Sequence, residues 1–93
     1  MKIDFTKVKV LDLEDKELLL NVNSREFANH IYFSSGDIGE CEMAREIYKK
    51  GCLTPTKEQA KKLRPYIASF FIVPVRLAYF KQLDEIEGNE GEK

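Results

Sequence analysis

The sequence predicts a single small α+β domain, an N-terminal β-hairpin packed on three or four short α-helices. Three observations carry this. Apolar residues alternate with period two over the first 22 positions, then recur at three- and four-residue steps along most of the remaining chain. Capping residues and helix stops stand at the ends of the helical stretches. Finally, 93 residues, 43% apolar and 33% charged, suffice for one modest core and not for two.

In the first stretch Val8 and Val10 alternate with Lys7 and Lys9, and Leu18, Leu20 and Val22 alternate beyond the polar tripeptide Glu14-Asp15-Lys16. This pattern predicts a hairpin of roughly 6–13 with 17–22. Leu11 and Leu13 fall out of phase with Val8 and Val10, which predicts a bulge or shifted register there. A two-stranded hairpin alone is marginal in water, so it must lie on the helices.

Asn23 with Glu26 has capping-box spacing, and Phe27, Ala28 and Ile31 share one face of the helix that follows. Ser34-Ser35-Gly36 ends it. Asp37, with Glu40 three positions on, caps a second helix whose stripe is Ile38, Cys41, Ala44, Ile47 and Tyr48. Lys49-Lys50-Gly51 closes it, placing cations in the last turn and Gly where left-handed geometry is needed. Thr54 as N-cap and Pro55 at the first helical position open a third helix, with stripe Ala60, Leu63, Ile67 and Phe70 or Phe71. Pro65 lies inside it and predicts a kink or break at Arg64-Pro65. The run 70–75 suits either a buried strand or a buried helix end and junction, and the stripes on both sides favour the junction. Pro74 starts a fourth helix with Val75, Tyr79, Leu83 and Ile86 on one side. The domain is expected over 1–87, with 88–93 a disordered acidic tail.

The N-terminus has no apolar signal segment, and the longest apolar run, 70–75, falls far short of the roughly twenty residues that span a bilayer. Cys41 and Cys52 follow no framework spacing and read as reduced thiols. A cytoplasmic protein with no membrane association is expected.

The net charge of −1 hides an asymmetry: residues 1–40 carry −3, 41–83 carry +6 and 84–93 carry −4. Lys57, Lys61 and Arg64 stand at i, i+4 and i+7 on the third helix, with Lys62 further round. Two helices followed by a third with a basic stripe is the coarse outline of a helix-turn-helix protein, although no Asn, Gln or Arg cluster marks a base-reading surface. The competing expectations are a solvated helix face and an acidic tail folded back onto the stripe.

The one histidine, His30, stands with Cys41, Cys52, Glu40 and Glu42 at spacings that match no pair of metal ligands on one turn. A Cys–His nucleophile pair needs a proximity that the sequence does not indicate. No Gly-rich phosphate loop is present, and Glu40 and Glu42 diverge by about 200° on a helix. The expectation is a non-enzymatic protein without a metal or cofactor.

Ten aromatic residues are many for so small a core. Phe70/Phe71 and Tyr79/Phe80 are adjacent pairs, and helical neighbours point about 100° apart, so one core face cannot bury both members. Either the helix is buried on two sides or some rings form an interface. The second choice makes Phe71, Tyr79, Phe80 and Leu83 a docking surface against a protein partner or a second copy. A small DNA-binding regulator using Lys57, Lys61, Lys62 and Arg64 is the alternative.

Together, the segments from Val8 to Leu13, Asp37-Ile38-Gly39-Glu40, Ala44 through Gly51, and Leu53-Thr54-Pro55 resemble short proteins of Bacteroides-type genomes and their prophages or mobile elements. The resemblance implies no particular activity and no site residue. It leans toward a small accessory or assembly protein.

Overall fold

Period-two alternation folds as predicted into two paired strands, β2 (Lys7–Leu11) and β3 (Glu17–Asn21), antiparallel with Lys7 opposite Asn21 and Leu11 opposite Glu17. The computed structural model describes residues 2–91. Its other elements are β1 (Ile3–Asp4), α1 (Ser24–Ser34), α2 (Ile38–Lys50), β4 (Cys52–Leu53), α3 (Lys57–Phe70) and α4 (Val73–Gly91). The result is one small α+β domain. A Cα radius of gyration of 13.0 Å is what a single compact unit of this length has.

The hairpin pairs without a bulge or slip in its strands. Leu11 continues the alternation onto the outer face beside Lys9, and the irregularity falls in the loop. There the Asp12 N–H donates to the Lys16 carbonyl, the Asp15 N–H donates to the Asp12 carbonyl, and Asp15 takes φ 62°. This is the three-residue loop that ends in a left-handed residue. The Asp12 carboxylate holds it by accepting from the Glu14 and Lys16 N–H groups.

The N-terminal helix caps form as their spacing predicts. Asn23 accepts from Glu26 N–H, and Asp37 accepts from Glu40 N–H. Gly51 ends α2 at φ 73°, its N–H donating to the Ile47 carbonyl. Phe27, Ala28 and Ile31 of α1 are buried, as are Ala60, Leu63 and Ile67 of α3 and Val75, Tyr79, Leu83 and Ile86 of α4. Each large apolar side chain removed from water in this way contributes about 1.5–3 kcal/mol. On α2 the buried face is Met43, Ala44 and Ile47. Ile38 and Tyr48 are exposed and Cys41 is half-buried, because the predicted stripe runs along the flank of the face that meets α1.

Four expectations need correction. β4 pairs with β1, Ile3 opposite Leu53 and Asp4 opposite Cys52, so the segment after Gly51 is extended and carries Thr54-Pro55 outside the helix. The cap of α3 is Thr56, which forms a reciprocal capping box with Gln59. α3 then runs unbroken through Pro65, whose exposed position leaves the orphaned Lys61 carbonyl near solvent. Last, α4 continues through Gly91, four residues into the segment 88–93 read as disordered; residues 92–93 lie outside the described residues. The 70–75 run is the predicted junction, with α3 ending at Phe70 and α4 beginning at Val73, but Ile72 and Val73 within it are exposed.

The two small sheets share one crossing at Phe5-Thr6. Phe5 N–H donates to the Gly51 carbonyl at 2.8 Å, Val22 N–H donates to the Thr6 carbonyl at 2.7 Å, and Tyr79 OH donates to the Asp4 carbonyl at 2.9 Å. A Cβ on Gly51 would come within 2.6 Å of Thr6 Cγ2. Gly51→Ala is therefore expected to lower the urea-unfolding free energy by about 2 kcal/mol or more, from left-handed strain plus the clash. Thr6→Ser in the same chain should return the clash component. Asp15→Gly acts in the opposite sense, gaining about 0.5–1 kcal/mol by relieving the left-handed residue of the hairpin loop.

Candidate functional site

The aromatic surface expected from the sequence is core. Tyr79 and Leu83 are 0% exposed and Phe71 is buried, while Phe80 is half-buried beneath Arg64, whose guanidinium carbon lies 5.4 Å from the ring centroid. Of the two outcomes the adjacent pairs allowed, burial on two sides is the one found: α4 is covered by α3 and by β2. Phe71 packs on Phe27 at 4.8 Å and on Tyr79 at 5.2 Å, and Phe70 lies 5.4 Å from Phe27. Phe71, Tyr79 and Leu83 are thus withdrawn as docking residues.

Half of the basic stripe is paired. Lys62 Nζ lies 3.3 Å from Asp37 Oδ2, and Arg64 bonds both Asp84 and Glu87, the latter at 2.9 Å through Nε. The carboxylates that meet Arg64, Asp84 and Glu87, stand on α4 ahead of the tail 88–93. Among the described residues Lys57 and Lys61 have no ion pair, and Lys57 is half-buried. The Asp37 carboxyl is held below the ordinary carboxylate range, first by the hydrogen bond from Glu40 N–H and further by Lys62.

The titratable residues assemble differently from any predicted pairing. His30 Nε2 lies 2.7 Å from Ser69 Oγ, and Ser69 Oγ–H donates to the Tyr66 carbonyl. Which of Nε2 and Oγ donates in the first contact is set by the imidazole tautomer. Tyr66 OH donates to the Glu40 carboxylate, linking α3 to α2. Cys41 Sγ lies 3.1 Å from Ser35 Oγ, and both Cys41 and Cys52 are half-buried free thiols. Among the described residues no group of three or more His, Cys, Asp and Glu side chains has metal-binding proximity. Nor is any helix among them long and apolar enough to cross a membrane.

Two concavities stand out among the described residues. One, of about 230 Å³, lies between α1 and α2, floored by Ala28 and Ala44 and walled by Tyr32 and Tyr48. The larger, of about 460 Å³, lies between β2 and α4. Val10, Leu11, Pro74, Leu77 and Ala78 make its apolar lining, and Lys9, Glu17, Lys81 and Gln82 its polar one. Leu11 is 58% exposed and Leu77 62%; Leu19 is exposed on the same face of the hairpin as Leu11, Leu18 on the opposite face and Leu13 at the loop tip.

The hairpin also leaves main-chain groups unpaired. The Thr6–Val22 and Asp12–Lys16 bonds bracket it, so Val8, Val10, Leu18 and Leu20 point their backbone groups at the opposite strand. Lys7, Lys9 and Leu11 on β2, and Glu17, Leu19 and Asn21 on β3, point theirs outward. No further strand joins either edge among the described residues. Sequence reasoning passed over this surface, although Leu18-Leu19-Leu20 signalled it: three consecutive leucines in a strand cannot all face one core.

Compared with protein-family models, curated proteins and solved structures, the chain matches none.

Burial raises the pKa of the Tyr66 hydroxyl to about 12, aided by its bond to the Glu40 carboxylate, and burial raises that of Tyr79 further. Both hold their protons more tightly in the fold than in the unfolded chain, where the value is near 10.0. The Tyr66 contribution to stability is complete below pH 10 and is lost as pH rises through about 12, and that of Tyr79 is lost at higher pH still. Urea midpoints measured across this range should fall steeply for the native chain, and less steeply for Tyr66→Phe with Tyr79→Phe. An unchanged slope in the double variant would contradict the assignment.

Proposed function

We propose that this chain is a non-enzymatic interaction module that docks a protein partner, or a second copy, on the hairpin and on the groove between β2 and α4. The observation that carries this reading is the apolar surface contributed by Leu11, Leu19 and Leu77, each more than half exposed, beside a groove of about 460 Å³. Exposed leucines clustered at a groove with a polar rim are the pattern of a docking face, whereas scattered ones need no explanation. Lys9 and Lys81 at the groove suit a partner segment that is apolar with acidic flanks. The domain thus presents the hairpin, not the aromatic face of α4.

Nucleic acid is the less favoured partner. Phosphates approaching the α3 stripe would meet Asp37, Asp84 and Glu87, the carboxylates already bonded to Lys62 and Arg64. Two free thiols accord with a cytoplasmic setting, and an accessory or assembly role accords with the resemblance to mobile-element proteins.

The test is capture from source-cell lysate, with and without nuclease, comparing the native chain with a Leu11→Asp, Leu77→Asp double variant. Both positions are largely exposed, so the variant should keep its fold. A nuclease-resistant protein partner is expected on the native chain, with capture reduced at least about tenfold on the variant. Material lost on nuclease treatment, or held equally by the variant, would overturn the reading. Salt offers a second discrimination: phosphate contacts weaken steeply with ionic strength and an apolar face does not.

A further inference from the structure

We infer that the outer edge of β3 pairs with the same edge of a second copy, making a continuous four-stranded antiparallel sheet across a twofold axis. The inference rests on the hairpin being an interaction surface and names one occupant for part of it.

The two hairpin edges differ in how they are protected. β2 carries Lys7 and Lys9 on its outward positions and has α4 packed against it. Antiparallel self-pairing of β2 about Lys9 would set Lys9 directly against its own copy, a like-charge contact that destabilises. β3 reads Glu17-Leu18-Leu19-Leu20-Asn21, with no lysine, no proline and no bulge, the devices that usually blunt an edge.

The β3 edge is also self-complementary. A twofold register centred on Leu19 engages all three outward residues, with Leu19 opposite Leu19 and Glu17 opposite Asn21 of the other copy. It keeps the two Glu17 carboxylates apart and forms up to about six main-chain hydrogen bonds. Registers shifted by two residues engage fewer outward positions, and one of them sets Glu17 against Glu17.

Both faces of the extended sheet then read consistently. Val8, Leu20, and the second copy's Leu18 and Val10 make one apolar row across four strands. This row covers Leu18, which the single chain leaves exposed at the end of its core. On the opposite face Lys7 and Asn21 continue into Glu17 and Leu11 of the second copy. The lysine of one chain thereby lies two strands, about 10 Å, from the carboxylate of the other. Because Leu19 is 60% exposed in the single chain, pairing removes apolar surface that the monomer leaves in water.

The test is sedimentation equilibrium of the native chain up to about 1 mM, together with amide hydrogen exchange at low and high concentration. Concentration-dependent dimerisation is expected, with Glu17, Leu19 and Asn21 amides gaining protection as dimer forms, while Leu18 and Leu20 are already protected in the monomer. Leu19→Lys should raise the dimer dissociation constant at least about tenfold by opposing two cations at the twofold axis. Leu13→Lys, which removes a fully exposed leucine from the loop tip, should leave it unchanged. A native chain that stays monomeric, a dimer indifferent to Leu19→Lys, or Glu17, Leu19 and Asn21 amides indifferent to concentration would each overturn the pairing. A monomeric chain that still captures a partner through Leu11 and Leu77 removes this inference alone. A dimer formed through β3 with no other protein captured sustains it, and removes instead the separate partner proposed for the groove.

Discussion

The ring of Phe5 lies 5.2 Å from Phe27 of α1 and 5.1 Å from Tyr79 of α4, while its N–H is bonded to the Gly51 carbonyl at the end of α2. One residue therefore touches three helices' worth of structure. Its neighbours extend the tie: Asp4 accepts the Tyr79 hydroxyl, and the Thr6 carbonyl accepts from Val22, where the hairpin returns toward α1. A hairpin of ten paired residues has little stability of its own. Held at this crossing, it becomes a fixed part of the domain, with Val8 and Val10 in the core. Gly51 is required there because the Thr6 methyl occupies the space a Cβ would take, and the backbone is left-handed.

That constraint also explains why the hairpin is half-finished. α4 lies against β2, so β2 is covered and β3 is not; four of the five β3 residues are exposed. Leucines there stay exposed in the single chain, whereas the aromatic residues of the core do not. Five rings, Phe5, Phe27, Phe70, Phe71 and Tyr79, stack within about 5 Å of one another along a path through the core. The exposed apolar surface of the hairpin is therefore aliphatic, while Phe33, Ile38, Ile72, Val73 and Leu77 expose further apolar surface on the helices and their junction. Helical faces carry most of the ion pairs; Lys50–Glu46 and Lys62–Asp37 are exposed and screened by solvent, whereas Arg64–Glu87 is part-buried.

How much was legible in the chain follows the range of each interaction. Asn23, Asp37 and Gly51 act within four residues, and their roles were readable from spacing alone. So was the α4 stripe of Val75, Tyr79, Leu83 and Ile86, because periodicity reports which face is buried. It does not report whether a second face is buried too, and so Phe71, Tyr79 and Leu83 were misread as surface. The Lys57–Arg64 stripe was visible, but the carboxylates that answer it stand more than twenty positions away for Lys62 and on α4 for Arg64. β4 was invisible for the same reason: two residues have no period, and Cys52–Leu53 is a strand only because β1 lies beside it. Thr54-Pro55 imitated a helix start two positions ahead of the true cap at Thr56.

The account turns on the crossing at Phe5-Thr6 binding strand layer to helix layer as one cooperative unit. Native-state hydrogen exchange tests this most directly. The amides of Phe5 and Val22, each bonded across the crossing, should exchange only through global unfolding. Their opening free energy and denaturant dependence should match those of Ile67 and Leu83 in the helical core. If Phe5 and Val22 instead open at a distinctly lower free energy while the helix amides remain protected, the hairpin is a separate, loosely docked element and the crossing does not hold the fold together.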